Sequence, residues 1–223
     1  MTELDLRKDI IAACLEMNAS GLNQGTSGNI SVRCGDRMLI SPSATPYESC
    51  TPDMIAAMPL DGAGRYEGPC KPSSEWRFHL ALYNERADVG AVVHAHSTFC
   101  TALSMARKPI PAAHYMIAAF GGNSVELADY ALFGTDRLSS NVVAAMSGRF
   151  ACLMANHGMC VVGDSLERAM WRAVELETLA RQYVHSLAIG GPVLLSDAEI
   201  AEAAAQFVGY GLAAKDISET PES

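Results

Sequence analysis

Apolar residues recur at helical spacing over residues 4–19, where Leu6, Ile10, Cys14 and Met17 share one side. Thr2 with Asp5 three residues on forms a capping-box pair, and Gly21 supplies a stop. A Gly/Asn/Ser/Thr-rich loop follows, and then residues 30–33 and 37–41 read as two strands around the turn Cys34-Gly-Asp. Residues 55–60 read as another short strand. Helical spacing returns over 73–87, with Trp76, Leu80 and Tyr83 on the inner face. The run 89–96 reads as a strand, and 97–106 and 136–147 read as helices. Residues 151–155 and 159–163 form a strand pair broken at Asn156-His157-Gly158. A long amphipathic helix covers 166–188, and a last one runs from Ser196, capped by Glu199, to Val208. Strands mixed with helices in no strict βαβ alternation predict a layered α/β fold.

Composition narrows this picture. The chain has 223 residues, 49% hydrophobic, which is enough to bury a sizeable core. With no linker, repeat or low-complexity tract, a single domain over 1–215 is expected, followed by a flexible tail over 216–223. The net charge of −9 argues against a nucleic-acid surface, though not against a local pocket for a small anion. The charged start lacks a signal-peptide core, and no apolar run reaches membrane-spanning length. Seven cysteines, scattered and without a CxxC pair, read as reduced thiols in a cytoplasmic protein and exclude a zinc-finger pattern.

The chemistry concentrates in a few stretches. His94 and His96 lie two residues apart on a strand, so both rings project from one face, as two ligands of one metal must. A catalytic zinc site needs a third protein ligand. His79, His114, His157 and His185 are the candidates. His79 shares a helix face with Glu75, and His185 reads as a packing residue. His157 is favoured, because it sits at a sheet break beside a glycine and can face a pocket. Lys71-Pro-Ser-Ser-Glu75 is a helix-start pattern whose hydroxyls and N-terminus also suit an anion. Gly25-Thr-Ser-Gly-Asn29 and Ser41-Pro-Ser-Ala-Thr45 add two more turns rich in hydroxyl and backbone donors, and the three together suggest a phosphate pocket.

Taken in order and spacing, these stretches, with His114-Tyr-Met-Ile-Ala118, Gly121-Gly122 and Ala155-Asn-His-Gly158, resemble the class II aldolase/adducin family, and within it the L-fuculose-1-phosphate aldolases. The resemblance implies an α/β/α domain with a central, mostly antiparallel or mixed sheet flanked by helices. It implies one Zn²⁺ per subunit on His94, His96 and His157, with Mn²⁺ or Co²⁺ as substitutes, and Glu75 as fourth ligand and proton-transfer group. Its phosphate contacts fall on Thr26, Gly28, Asn29, Ser43, Ala44, Ser73 and Ser74. A catalytic tyrosine, Tyr115, is expected from across a subunit interface of a homotetramer, and Phe133, Phe207 and Tyr210 near the site mouth. The implied reaction is reversible cleavage of a ketose 1-phosphate (L-fuculose 1-phosphate, or a 5-deoxy- or 5-methylthio-ribulose 1-phosphate) to dihydroxyacetone phosphate and a small aldehyde. A sugar-phosphate 4-epimerase and a non-catalytic adducin-like binding module are the alternatives. One departure stands out: the family usually has glycine after Pro-Thr or Pro-Ser, and this chain has Ala44 after Pro42-Ser43. A left-handed backbone there costs alanine about 1 kcal/mol.

Overall fold

The first helix, α1 (Glu3–Ala19), begins at the expected capping box: Thr2 Oγ accepts from the Asp5 N–H, and the Asp5 carboxylate accepts from the Thr2 N–H. The structure, a computed structural model, describes residues 2–207. Val208, Tyr210 and the tail over 216–223 lie outside the described residues.

Seven strands form one sheet: β1 (Asn29–Cys34), β2 (Arg37–Ile40), β3 (Ala56–Pro59), β4 (Ala91–Ala95), β5 (Glu126–Ala128), β6 (Ala151–Met154) and β7 (Gly158–Gly163). Their order is β3-β2-β1-β4-β7-β6-β5. Every neighbouring pair is antiparallel except β5 with β6, so the sheet is mixed. The remaining helices are α2 (Trp76–Glu85), α3 (Thr98–Met105), α4 (Asp136–Ala145), α5 (Leu166–Ala188) and α6 (Asp197–Phe207).

Strand alternation sorts the core into two layers. Ile30, Val32, Val93 and Val161 pack against α1, α3 and α5. Val92, Cys160 and Val162 pack on the other face against α2 and α4, through Phe78, Leu82, Leu138 and Val142. The chain is therefore an α/β/α sandwich. Period two also decides where the polar residues go. Asn29 and Ser31 on β1 and His94 on β4 share the α2 face, and Asn29 pairs directly with His94 in the β1–β4 register.

Two expected boundaries need correction, and one strand went unread. The helix expected from Ser73 starts at Trp76, because Ser73 and Ser74 lie in a turn where the Ser73 hydroxyl accepts from the Glu75 N–H at 3.3 Å. The strand expected to include His96 ends at Ala95, one residue short. Residues 126–128 form an edge strand that the apolar pattern did not show: three residues offer too little alternation to read. Among the described residues no helix is long and apolar enough to cross a membrane.

Candidate active site

β4 delivers His94 to the α2 side of the sheet, and His96 follows just beyond the strand end. Their rings meet edge-on with centroids 5.0 Å apart. The β6–β7 turn supplies His157, whose ring lies 4.8 Å from that of His94 and 4.9 Å from that of His96. The three imidazoles thus form a nearly equilateral triangle. The turn bends at Asn156, in the left-handed region at φ 54°, which asparagine tolerates, and Arg107 Nε donates to its side-chain oxygen at 2.9 Å. Gly158 is needed for closeness. A Cβ there would lie 2.5 Å from the Ala95 carbonyl oxygen and 3.0 Å from the His96 ring.

Glu75 closes the figure. It is the residue at the N-cap of α2, yet its side chain does not cap the helix. The preceding Ser73 turn frees it to reach inward, where Oε2 lies 3.2 Å from His94 Nε2 and Oε1 lies 3.3 Å from His157 Nε2. The donor atoms of Glu75, His94, His96 and His157 all fall within 4.8 Å of one another.

The protonation states make this a cation site. His94 Nδ1 donates to the Met159 carbonyl at 2.7 Å, which turns Nε2 toward Glu75. That nitrogen lies 3.2 Å from a carboxylate oxygen, an approach that is favourable with a positive charge, a proton or a metal ion, between them. Glu75 Oε1, His94 Nε2 and His96 Nε2 are buried without a hydrogen-bond partner. Burial, then the neighbouring His94, brings His96 and His157 down to about 4, so both stay neutral donors near neutral pH. Burial alone would raise the Glu75 pKa. His94, His157 and Asn29 outweigh it and bring the carboxyl down to about 2. A tetrahedron of zinc-type bonds has edges of roughly 3.3 Å, close to the two carboxylate–imidazole separations above. Three imidazoles and a carboxylate therefore fit a divalent metal ion by donor type, protonation and spacing.

The cluster opens into a cleft of about 380 Å³. Thr26, Gly28, Asn29, Ser43, Ala44, Ser73, Ser74 and Phe133 all line it, together with Glu75, His96 and His157. Backbone bonds zip two of its walls together: Ser43 N–H donates to Lys71 and Ser73 N–H to Ser41, both at 2.9 Å. Tyr47 clamps the third wall by donating to the Gly28 carbonyl at 2.5 Å. Ala44 does adopt the left-handed backbone, at φ 51°.

Other expected residues lie elsewhere. Tyr115 is 53% exposed on a short 3₁₀ turn, outside the cleft of its own chain, with the Phe207 ring stacked at 6.3 Å. Phe207 likewise does not line this chain's cleft, and Tyr210 lies outside the described residues. His114 accepts from the Met116 N–H and caps that turn. His185 packs on Phe99. The residues that sequence reasoning missed support the ligands rather than supply them. Asn23 Oδ1 accepts from the His96 N–H and from Ser27 Oγ, and Met159 offers only its carbonyl. Neither carries a composition or spacing signal.

A family model described as the Class II Aldolase and Adducin N-terminal domain matches residues 8–184. The L-fuculose phosphate aldolase of Escherichia coli (strain K12) is 51% identical over 208 residues, covering 93% of this chain and 96% of its own. The 5-methylthioribulose-1-phosphate/5-deoxyribulose-1-phosphate aldolase of Rhodospirillum rubrum is 46% identical, covering 94% of each. A solved L-fuculose 1-phosphate aldolase superposes with a TM-score of 0.88 at 37% identity, covering 91% of this chain and 96% of that one. With the fold, the acid–imidazole cluster and these relatives in agreement, the chain belongs to the class II aldolase/adducin family and is an enzyme of its aldolase type, a carbon–carbon lyase.

Proposed function

We propose that the protein cleaves a ketose 1-phosphate reversibly to dihydroxyacetone phosphate and a small aldehyde, with Zn²⁺ held by His94, His96, His157 and Glu75. One observation carries the reading: a buried, cation-demanding cluster opens directly into a cleft walled by hydroxyls and tight turns. When bound, the ion supplies Lewis-acid polarisation beside the bond that breaks. The rest falls to the chain. The turns at Thr26–Asn29, Ser43–Ala44 and Ser73–Ser74 bind the phosphate and so fix the reacting carbons at the cluster. Cleavage of the C3–C4 bond removes the C4 hydroxyl proton, releases the aldehyde, and leaves the electron pair on C3 of the triose phosphate as an enediolate. Glu75 returns a proton to that carbon, and in synthesis removes it. Tyr115 serves the aldehyde oxygen from a neighbouring subunit, consistent with its exposure outside its own cleft, which makes the active assembly an oligomer, a homotetramer in this reading.

The two named relatives differ in the substituent on the aldehyde end. The test is therefore a panel: L-fuculose 1-phosphate, 5-deoxyribulose 1-phosphate and 5-methylthioribulose 1-phosphate, assayed for dihydroxyacetone phosphate release. Release from at least one is expected. Formation of an epimeric pentulose phosphate without triose phosphate would replace this reading with an epimerase, and no turnover of any sugar phosphate would leave a binding module.

A further inference from the structure

A chain of buried polar groups runs away from the cluster between β1 and α2. Tyr83 Oη lies 2.9 Å from Ser31 Oγ, and Ser31 Oγ lies 2.7 Å from His79 Nδ1. His79 Nε2 lies 2.6 Å from Asn29 Oδ1, and Asn29 Nδ2 donates to Glu75 Oε2 at 3.1 Å. None of these residues is more than 5% exposed. We infer that His79 is a positioning residue for the reaction: its Nε2–H holds the Asn29 amide in the one orientation that lets Asn29 donate to Glu75. The inference rests on the role given to Glu75 above.

The direction of every bond follows from the acid end. An ionised carboxylate only accepts, so Asn29 must present Nδ2 to it. The Asn29 oxygen then faces His79, which must donate from Nε2. Nδ1 is left to accept, so the Ser31 hydroxyl donates to it, and the Tyr83 hydroxyl donates to Ser31. No link can be reversed alone. If His79 took the other tautomer, the Asn29 amide would turn and set its oxygen against the Glu75 carboxylate. Burial, followed by the neighbouring His94, brings His79 down to about 3, so the ring keeps the neutral form this direction requires. Buried groups of this kind have no water to fall back on. Asn29 both donates to the Glu75 carboxylate and lines the cleft, so its orientation reaches the cluster and the substrate wall.

Two substitutions separate the ring nitrogens. His79→Gln places an amide nitrogen near the Nε2 position and keeps a donor for Asn29. His79→Asn reaches only the Nδ1 position and loses it. Both remove similar packing, so a merely structural role would affect them alike. Metal affinity is measured by chelator competition on the full-length protein with Zn²⁺, alongside kcat and KM for the best ketose 1-phosphate. His79→Gln is expected to stay within about threefold of the parent. His79→Asn is expected to bind Zn²⁺ on the order of 10–100-fold more weakly, in the range of outer ligand partners, with kcat reduced and thermal unfolding matching that of His79→Gln. Nitrogen NMR of the parent reads the tautomer directly: Nε2 protonated and Nδ1 bare. Wild-type affinity in a folded His79→Asn protein, or a proton on Nδ1, would overturn the inference. Because the tautomer and metal arms need no turnover, they decide the role of His79 even if the parent cleaves none of the sugars, an outcome that would refute the aldolase substrate instead.

Discussion

Ala44 holds a backbone conformation, φ 51°, that L-residues with a Cβ avoid. It lines the cleft beside Ser43, so the strain sits where a phosphate would bind. Ala44→Gly relieves it and removes only one methyl group from the cleft wall. The variant should be more stable by about 1 kcal/mol, which for a chain of this size raises Tm by roughly 2–4 °C. Thermal unfolding checks this; an unchanged or lower Tm would mean that the turn is not strained. At this scale the sequence was partly legible. His94 and His96 announced themselves through strand periodicity, and His157 through a glycine at a break between apolar runs. His79 did not, since a histidine amid apolar residues in a helix looks the same whether it packs or directs a hydrogen bond. Its role came from Ser31 and Asn29 on another element.

Three elements meet at the cluster, and each meeting depends on a small detail of backbone. The N-terminus of α2 starts after the Ser73 turn, which leaves Glu75 free to turn inward. The end of β4 and the β6–β7 turn touch because Gly158 has no side chain. Gly158→Ala would push the turn away from Ala95 and His96, and with it His157. Overpacking of this kind costs about 1–3 kcal/mol, and the variant should also bind Zn²⁺ at least tenfold more weakly by chelator competition. Parent-like affinity would show that the turn can give way without moving the ligand. The element boundaries explain what the pattern of apolar residues left obscure. Ser73-Ser74-Glu75 has the composition of a helix start, yet the serines form a turn and the helix begins one residue after the acid. β5 is too short to alternate and is held by pairing with β6.

Across the molecule, the alternation that buries Val92 and Val93 on opposite faces also puts Asn29, Ser31 and His94 on one. The layered architecture was readable because each helix and most strands carry their own periodicity. The order of the strands, and so the meeting of Glu75 with three histidines distant in the chain, depends on long-range pairing that no local pattern encodes. Tyr115 is at the surface, with Trp171 and Phe207 lining a cavity of about 860 Å³ beside it; the role proposed for it requires a second chain. The central claim is that one divalent ion on the Glu75–His94–His96–His157 cluster is required for cleavage. The most direct measurement is metal content per chain and dihydroxyacetone phosphate release in the same preparations of the parent and His94→Ala. About one ion per chain with turnover in the parent, and loss of both in His94→Ala, is the predicted result; parent-level release from protein holding no metal would contradict it.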